Sequence, residues 1–275
     1  MRTSVSMYSL DAYVKQHYWD VFDFIRFAKS IGCDGVELLD MYWCDAADVT
    51  RVLAALEREN LPVSAYDTSN DFVHRDSDAR RSQVHKVKRD IDIAYVLGTN
   101  IVRIFCGDAK EGVSQEEGLS WIIACMKECA EYAEMRGITL AIENHGLFAG
   151  NSKQVKEIIE SVGSSYVGST FDTGNFLLVG ESPEAALSVL KEEVKHVHFK
   201  DFQRVSPSYQ GPSFQGADGS RVAGIVAGDG EVNLHHIVQV LRSIGYDGWY
   251  SIEYEGQHDA KESVEQSVNN LLALV

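Results

Sequence analysis

The sequence lacks any long apolar run. No stretch approaches the roughly 20 consecutive apolar residues that a membrane-spanning helix requires. The first residues, MRTSVSMYSLDAYVKQ, also contain no apolar segment of the kind found in signal peptides. We therefore expect no membrane association and a cytoplasmic location.

Positive charge and paired cysteines are scarce as well. The 25 Lys and Arg residues are outnumbered by 41 Asp and Glu residues, which gives a formal net charge of −16. Such a charge repels phosphate backbones, and the densest basic run, residues 80–89, has the spacing of a solvated helix face. The five cysteines form no C-x-x-C pair, so neither a disulfide framework nor a zinc knuckle is predicted. We expect no nucleic-acid partner.

The sequence does contain a repeated unit, in which a short apolar run is followed by a polar loop and a segment with helical periodicity. Eight such units predict a parallel (β/α)8 TIM barrel, formed as a single domain by residues 1–275. A doubly wound sheet is the alternative, but no G-x-G-x-x-G follows the first strand, so a dinucleotide site is not indicated. The predicted strands cover residues 3–7, 35–39, 62–66, 101–105, 139–143, 166–172, 196–199 and 249–253.

One segment breaks this alternation. Residues 202–230, which we name the insertion, are rich in Gly, Ser and Pro and show no helical periodicity. Because they follow the seventh predicted strand, they should lie over the carboxyl end of the barrel, where active sites of this architecture are found. A loop of this length in a compact domain is usually functional or disordered. We interpret it as a lid or a subunit contact, with a mobile surface loop as the alternative.

Four residues with metal-binding side chains stand at predicted strand ends. They are Glu143, Asp172, His198 and Glu253, with separations of 29, 26 and 55 residues. The first two separations match one βα unit, and the third matches one unit plus the insertion. Neighbouring strands lie roughly 5 Å apart, so the four side chains can share one ion. Three carboxylates and one imidazole suit Mn²⁺, our first choice, as well as Mg²⁺, Co²⁺ or a Zn²⁺ site with open positions.

The motifs around these positions resemble those of a known family. IENHG, FDTGN, HVHFKD and SIEYEG, at these spacings, are similar to the xylose-isomerase-like barrel superfamily, which contains sugar isomerases, ketose 3-epimerases, inositol-catabolic enzymes and endonuclease IV. The resemblance spans essentially the whole chain and is sharpest between Glu143 and Glu253. It implies one divalent metal ion held by Glu143, Asp172, His198 and Glu253, and it implies that the two glutamates act as bases.

The resemblance also implies a reaction. A metal ion bound to a sugar carbonyl acts as a Lewis acid and stabilises the enediolate that forms when a proton leaves the adjacent carbon. We therefore expect an isomerase or epimerase that acts on a keto sugar or a related polyol. His145, two residues after Glu143, is a further candidate acid or base, with a hydrogen-bonding role as the alternative. Several epimerases and endonuclease IV carry a histidine where this chain has Asn175, so a trinuclear phosphodiesterase site is not expected.

Other polar residues are candidates for contact with the substrate or for support of the metal ligands. Residues 102 and 104 should face the helices, which places Arg103 in the barrel mouth. His196 is interpreted as a hydrogen-bonded core residue, and Asp201 as a support for the insertion. The candidates for substrate contact are Glu37, His74, Arg103, Asn175 and Lys200, and those for an apolar wall are Tyr8, Trp19, Trp43 and Phe72.

Two other functions stay open at this point. Some relatives with an E-N-H motif and a long loop after the seventh strand cleave 3-keto-glycosides by β-elimination, and His145 would then be the base. A non-catalytic sugar-binding barrel is the third interpretation, although a cluster of buried ionisable groups is costly to keep without a metal ion. The expected partner is a small sugar, and a homo-oligomer is compatible with the resemblance because related barrels often pair.

Overall fold

A computed structural model of the chain describes residues 1–17, 19–42 and 46–274, so the predicted wall residue Trp43 lies outside the described residues. Its central feature is a closed barrel of eight parallel strands. These strands are β1 (Arg2–Ser6), β2 (Gly35–Leu39), β3 (Val63–Asp67), β4 (Ile101–Ile104), β5 (Thr139–Glu143), β6 (Val167–Asp172), β7 (Val194–Phe199) and β11 (Trp249–Ile252).

The barrel closes where β1 pairs with both β2 and β11, and the full order is β1-β11-β7-β6-β5-β4-β3-β2. Each predicted strand is present, with bounds that differ from the prediction by no more than one or two residues. The predicted (β/α)8 TIM barrel is therefore confirmed. The near-continuous apolar runs arise because each strand is covered by helices on its outer face.

Helices surround the barrel, and none of those described combines the length and apolar character needed to traverse a bilayer. In one of them Val84, Val87, Ile91 and Ala94 form a buried face, as their spacing predicts. The helices are α1 (Asp11–His17), α2 (Val21–Ser30), α3 (Ala46–Glu59), α4 (Ser77–Leu97), α5 (Gln115–Arg136), α6 (Ser152–Val162), α7 (Pro183–Leu190), α8 (Leu234–Ser243) and α9 (Ala260–Leu272).

The ends of the helices follow local signals in the sequence. α5 begins after Ser114, whose hydroxyl accepts a hydrogen bond from the backbone N–H of Glu117, while the Glu117 carboxylate accepts from the backbone N–H of Ser114. α4 ends at Gly98, where φ is 78°, a left-handed value that a residue with a side chain rarely adopts. These caps fix where each helix returns the chain to the next strand.

The main apolar core lies between the strands and the helices, whereas the barrel interior contains a separate, small apolar cluster. This inner cluster consists of Ala65, Ile101 and Ala141. Each member precedes a polar residue of its own strand by two positions and therefore lies one layer deeper on the same face. The upper layer of the barrel interior is consequently polar.

The insertion is folded into a small antiparallel sheet rather than an irregular loop. β8 (Asp201–Arg204), β9 (Phe214–Gln215) and β10 (Arg221–Ile225) pair in the order β8-β10-β9. The base of this sheet is held by the Asp201 carboxylate, which accepts hydrogen bonds from the backbone N–H groups of Gly228, Gly230 and Val232 at 2.9–3.0 Å. Asp201 thus supports the insertion as predicted, while a role as lid or subunit contact stays a prediction.

Candidate metal centre and active site

The structure brings Glu143, Asp172, His198 and Glu253 together at the carboxyl end of the barrel. Glu143 and Asp172 are the last residues of β5 and β6, Asp172 is the strand partner of His198, and Glu253 directly follows β11. Nδ1 of His198 lies 3.4 Å from Oε2 of Glu253, 3.6 Å from Oε2 of Glu143 and 3.8 Å from Oδ2 of Asp172. One ligand atom from each residue lies within 4.8 Å of all the others.

These four residues fit a divalent metal ion. Each of the four atoms named above is buried. Oε2 of Glu143 faces the Arg103 guanidinium, and Oδ2 of Asp172 and Oε2 of Glu253 face the Lys200 ammonium. Four buried ligand atoms from the ends of four different barrel strands converge within 4.8 Å of one another, and this convergence indicates a ligand set. Three carboxylate oxygens and one imidazole nitrogen form a donor set that hard or borderline divalent ions accept.

Glu37 lies directly below this cluster and contacts the other side of the His198 ring. Its Oε1 lies 2.8 Å from Nε2 of His198, and both side chains are fully buried. Burial opposes the ionisation of Glu37, but the charges of His198 and His196 outweigh it and hold the pKa of Glu37 well below its usual range. A carboxylate in this position fixes the ring so that Nδ1 faces the other carboxylates. Glu37 therefore supports His198 and does not line the cavity above the cluster.

His196 is buried in the barrel interior as predicted, and its polar partner is Glu37. Nδ1 of His196 has no hydrogen bond within the described residues. Nε2 of His196 lies 3.2 Å from Oε1 of Glu37, which therefore faces two imidazoles at once. Glu37, His196 and His198 also form a second group whose ligand atoms lie within 4.8 Å of one another.

Arg103 is a buried bridge between two carboxylates. Its guanidinium lies 3.1 Å from Oδ2 of Asp67 and 3.2 Å from Oε2 of Glu143, and it stacks 4.1 Å from the ring centre of Phe105. Asp67 was not among the sequence candidates because the predicted third strand ended one residue earlier. The rule that located the other carboxylates, a polar residue at a strand end, applies to Asp67 equally.

Lys200 is a buried ammonium among three carboxylates. Its Nζ lies 2.5 Å from Oε2 of Glu253, 3.0 Å from Oδ2 of Asp172 and 3.2 Å from Oε2 of Glu255. Burial opposes the charge, but these carboxylates outweigh it and hold the pKa of Lys200 well above its usual range. Asn175 lies beside this group and donates a hydrogen bond of 3.1 Å to Oε1 of Glu143. Glu255, like Asp67, was not predicted, although it lies two residues after Glu253 on the same face.

A cavity of about 600 Å³, which we name the barrel cavity, opens above the cluster. Its lining includes Glu143 and Glu253, and His145 stands exposed at its mouth with its ring 4.8 Å from that of Phe105. His74 lines the outer part, where Nδ1 lies 3.3 Å from Nζ of Lys110. Arg103, Asn175 and Lys200 also line the cavity, so of the predicted substrate contacts only Glu37 is absent from the lining.

The predicted apolar wall is formed only in part. Tyr8 lines the barrel cavity. Phe72 is fully buried in the main core, and Trp19 packs against Tyr13 with ring centres 4.9 Å apart. Neither Phe72 nor Trp19 is among the described residues that line the cavity, because Phe72 belongs to the main core and Trp19 packs against that core.

Burial and neighbouring charges shift the pKa values of Glu253 and Asp67 in opposite directions. Burial opposes the ionisation of Glu253, but the charges of Lys200 and His198 outweigh it and hold the pKa of Glu253 well below its usual range. Burial raises the pKa of Asp67 well above its usual range, because the Arg103 charge does not fully compensate for it. Glu253 is therefore available as a carboxylate.

The chain is similar in sequence to an inosose dehydratase and in fold to several solved proteins. The inosose dehydratase of Clostridium botulinum is 23% identical over 86% of this chain and 83% of its own length. A D-tagatose 3-epimerase-like protein is 20% identical with a TM-score of 0.80, and the IOLI protein, solved with a bound zinc atom, is 17% identical with the same TM-score. Both structural matches cover 100% of this chain and 98% of the other.

The family comparison covers almost the entire barrel. The sequence profile of the family described as Xylose isomerase-like TIM barrel matches residues 25–274. This range includes the four residues of the cluster and seven of the eight barrel strands. The resemblance inferred from the strand-end motifs is thereby confirmed, and the chain belongs to the xylose isomerase-like TIM barrel family.

Proposed function

We propose that the protein is a divalent-metal-dependent sugar isomerase or epimerase, which removes a proton from the carbon next to the carbonyl of a keto sugar or related polyol. The observation that carries this proposal is the convergence of four buried ligand atoms, from Glu143, Asp172, His198 and Glu253, at the floor of the barrel cavity. The epimerase-like and dehydratase relatives support it, because both names describe chemistry on polyhydroxylated compounds.

A divalent ion in this cluster, when bound, supplies Lewis acidity that polarises a substrate carbonyl and makes the neighbouring C–H bond more acidic. We infer Mn²⁺ as the ion because three of the four donors are carboxylates. The zinc atom bound in the structurally similar IOLI protein supports a divalent ion and makes Zn²⁺ the alternative. Glu37 would orient His198 toward the ion through the 2.8 Å contact with Nε2.

The two glutamates are the bases in this proposal. Glu143 ends β5 and Glu253 follows β11, and two strands, β6 and β7, separate them in the barrel. Their carboxylates therefore approach the cavity from different sides. One accepts the proton from one face of the substrate carbon, and the other faces the opposite side, which permits inversion of that carbon. Arg103 and Asn175 hold Glu143 in place, and Lys200 faces Glu253.

Lys200 and His145 provide the proton donors that the remainder of the reaction needs. Lys200 is a charged, buried ammonium beside Glu253 and lines the cavity. It can donate a hydrogen bond or a proton to a substrate oxygen as negative charge develops there. His145, exposed at the mouth, can exchange a proton with solvent.

Elimination is the second candidate function, and the same two donors favour it. After a base removes the proton next to the ketone, the C–O bond at the β carbon breaks and its electron pair leaves with the oxygen. That oxygen takes up a proton, which Lys200 or His145 is placed to supply. The leaving group is water for a cyclitol ketone or an alcohol for a 3-keto-glycoside. The inosose dehydratase relatives support this alternative.

The experiment that tests the proposal follows carbon-bound proton exchange in D₂O by NMR, with Mn²⁺-loaded protein and a panel of ketoses. We expect the wild type to exchange a proton next to the carbonyl of at least one ketose. Glu253→Gln is expected to lower this rate by about a hundredfold or more. Glu265→Gln, an exposed glutamate on α9, is the matched control and should exchange at the wild-type rate.

Each alternative predicts a different result in this assay. Release of water or alcohol from a keto substrate, without exchange in any free ketose, identifies elimination. An undiminished exchange rate in Glu253→Gln contradicts the assignment of this residue as a base. Metal binding with neither exchange nor elimination favours a non-catalytic sugar-binding protein.

A further inference from the structure

A second depression adjoins the barrel cavity. We name it the aromatic cleft; its volume is about 900 Å³, and it lies between α1, the insertion and the segment that follows β11. Both volumes are within the range of about 300–1,000 Å³ that is usual for small-molecule sites. Three residues, Tyr8, Phe214 and Glu255, line both the barrel cavity and the aromatic cleft. The two spaces are therefore continuous, and they meet at these three side chains.

The insertion is fixed against the far wall of the cleft. An isolated parallel bridge joins Gly224 of β10 to Gly256, in the segment after β11. The backbones approach so closely that a Cβ at position 224 would lie 2.5 Å from the carbonyl carbon of Glu255. At position 211 a Cβ would lie 2.3 Å from Oε1 of Gln257, so the tip of the insertion also packs against this segment. The wall of the cleft is therefore fixed by contacts between the insertion and the segment after β11.

The lining of the cleft combines aromatic rings with amide side chains. Rings offer apolar faces with polar edges, and amides offer both donors and acceptors, which together match a ring that carries hydroxyl groups. The aromatic residues are Tyr8, Tyr13, Phe214 and Tyr254, and the amides are Gln16, Gln210 and Gln257.

The charges of the cleft exclude an anionic group. Among the described residues that line it, none is lysine or arginine, whereas Asp11, Asp259 and Glu255 are acidic. In the adjoining barrel cavity, the Arg103 and Lys200 cations are already paired with carboxylates at 2.5–3.2 Å. A phosphate in the aromatic cleft would therefore meet net negative charge. These charges therefore rule out an anionic occupant of the cleft.

We propose that the substrate is a ketone-bearing glycoside, with its reacting ring in the barrel cavity and a second, uncharged sugar ring in the aromatic cleft. The linkage between the two rings passes the Tyr8, Phe214 and Glu255 side chains. This inference rests on the proposed function for the reacting ring, but the cleft itself can be tested without catalysis.

Ala12→Trp is the variant that tests the cleft. Ala12 is exposed on α1 and lines the cleft but not the barrel cavity, so an indole there fills the second subsite alone. The matched control is Ala54→Trp, at an exposed position on α3. The Mn²⁺-loaded wild type is expected to exchange the proton of 3-keto-cellobiose with a kcat/KM at least about tenfold above that for 3-keto-glucose. Ala12→Trp should abolish this preference by raising the KM for 3-keto-cellobiose. Its kcat/KM for 3-keto-glucose should stay within about twofold of the wild-type value.

A binding experiment separates the proposal for the aromatic cleft from the proposed function. Titration calorimetry with unoxidised cellobiose and methyl β-glucoside requires no turnover, and we expect cellobiose to bind at least about tenfold more tightly to the wild type but not to Ala12→Trp. If cellobiose binds in this way and no keto compound exchanges, the cleft stands and the proposed function fails. If 3-keto-glucose exchanges but neither the disaccharide preference nor the effect of Ala12→Trp is found, the cleft proposal is overturned and the proposed function stands.

Discussion

Replacement of Glu37 by glutamine tests how the metal centre is organised. Oε1 of Glu37 lies 2.8 Å from Nε2 of His198 and 3.2 Å from Nε2 of His196, and all three side chains are fully buried. Glutamine has nearly the same shape and can still accept a hydrogen bond, but it carries no charge. The substitution therefore removes the ionic part of the contact and leaves the packing in place.

The magnitude follows from the change in this one contact. A hydrogen bond with a charged partner contributes about 1.5–3 kcal/mol, and a neutral one about 0.5–1.5 kcal/mol. The loss of about 1–1.5 kcal/mol corresponds to about tenfold weaker metal binding. This value is at the lower end of the range of about 10–100-fold found when partners of metal-binding histidines are replaced.

The assay is competition for Mn²⁺ between the protein and a chelator of known affinity. Glu57→Gln, at an exposed position on α3, is the matched control and should bind Mn²⁺ as the wild type does. Thermal unfolding shows whether each variant is folded. If Glu37→Gln unfolds cooperatively and binds Mn²⁺ within about twofold of the wild type, Glu37 does not orient His198 and the argument is wrong.

Two further predictions concern other buried charges. Arg103→Lys replaces a planar guanidinium that contacts two carboxylates by a single ammonium, which cannot hold Glu143 in the same position. We therefore expect kcat for proton exchange to fall by about 10–100-fold, with a smaller effect on KM. Burial opposes the ionisation of Asp40, but hydrogen bonds from Lys86 and Ser69 outweigh it and lower the pKa of Asp40. Its carboxylate therefore stabilises the fold above the unfolded-state pKa of about 3.9, and this contribution is lost as the pH falls through the lower folded-state pKa. Asp40→Asn should reduce the free energy of unfolding at pH 7 by about 1–3 kcal/mol, with a difference that shrinks in acid.

For each of these two predictions, a specific result would contradict the reasoning. Arg81→Lys, which changes an exposed arginine on α4, should leave kcat unaltered. Equal kcat values for Arg103→Lys and Arg81→Lys would show that the bridge to Glu143 does not position a base. For Asp40, denaturant titrations between pH 7 and about pH 2 measure the free energy of unfolding across the range in which the contribution is lost. A difference between Asp40→Asn and the wild type that stays constant over this range would contradict the linkage argument.

The barrel could be predicted from the sequence because its strands are buried on both faces and read as apolar runs. The sheet in the insertion could not be predicted in this way. Its β9 contains only Phe214 and Gln215, and the burial patterns of β8 and β10 do not alternate. Pairing between strands and the bridge from Gly224 to Gly256 hold this sheet, and such long-range contacts leave no periodic signal in the sequence.

The four cluster residues could be predicted because parallel strands place their carboxyl ends at one edge. Asp67 was missed for a local reason. The third strand was predicted to end one residue before it, so Asp67 was not counted among the residues at strand ends. The position of Glu37 below His198 depends on which ring nitrogen faces which carboxylate. That arrangement is a property of side-chain packing, so spacing alone cannot specify it.

The central claim is that Glu143, Asp172, His198 and Glu253 hold one divalent ion. Elemental analysis after equilibrium dialysis against Mn²⁺ tests it most directly. We predict about one ion per chain in the wild type and in His236→Ala, which changes an exposed histidine on α8, and a loss of the ion in His198→Ala. A wild type that retains no ion, or a His198→Ala variant that still retains about one, would contradict the account.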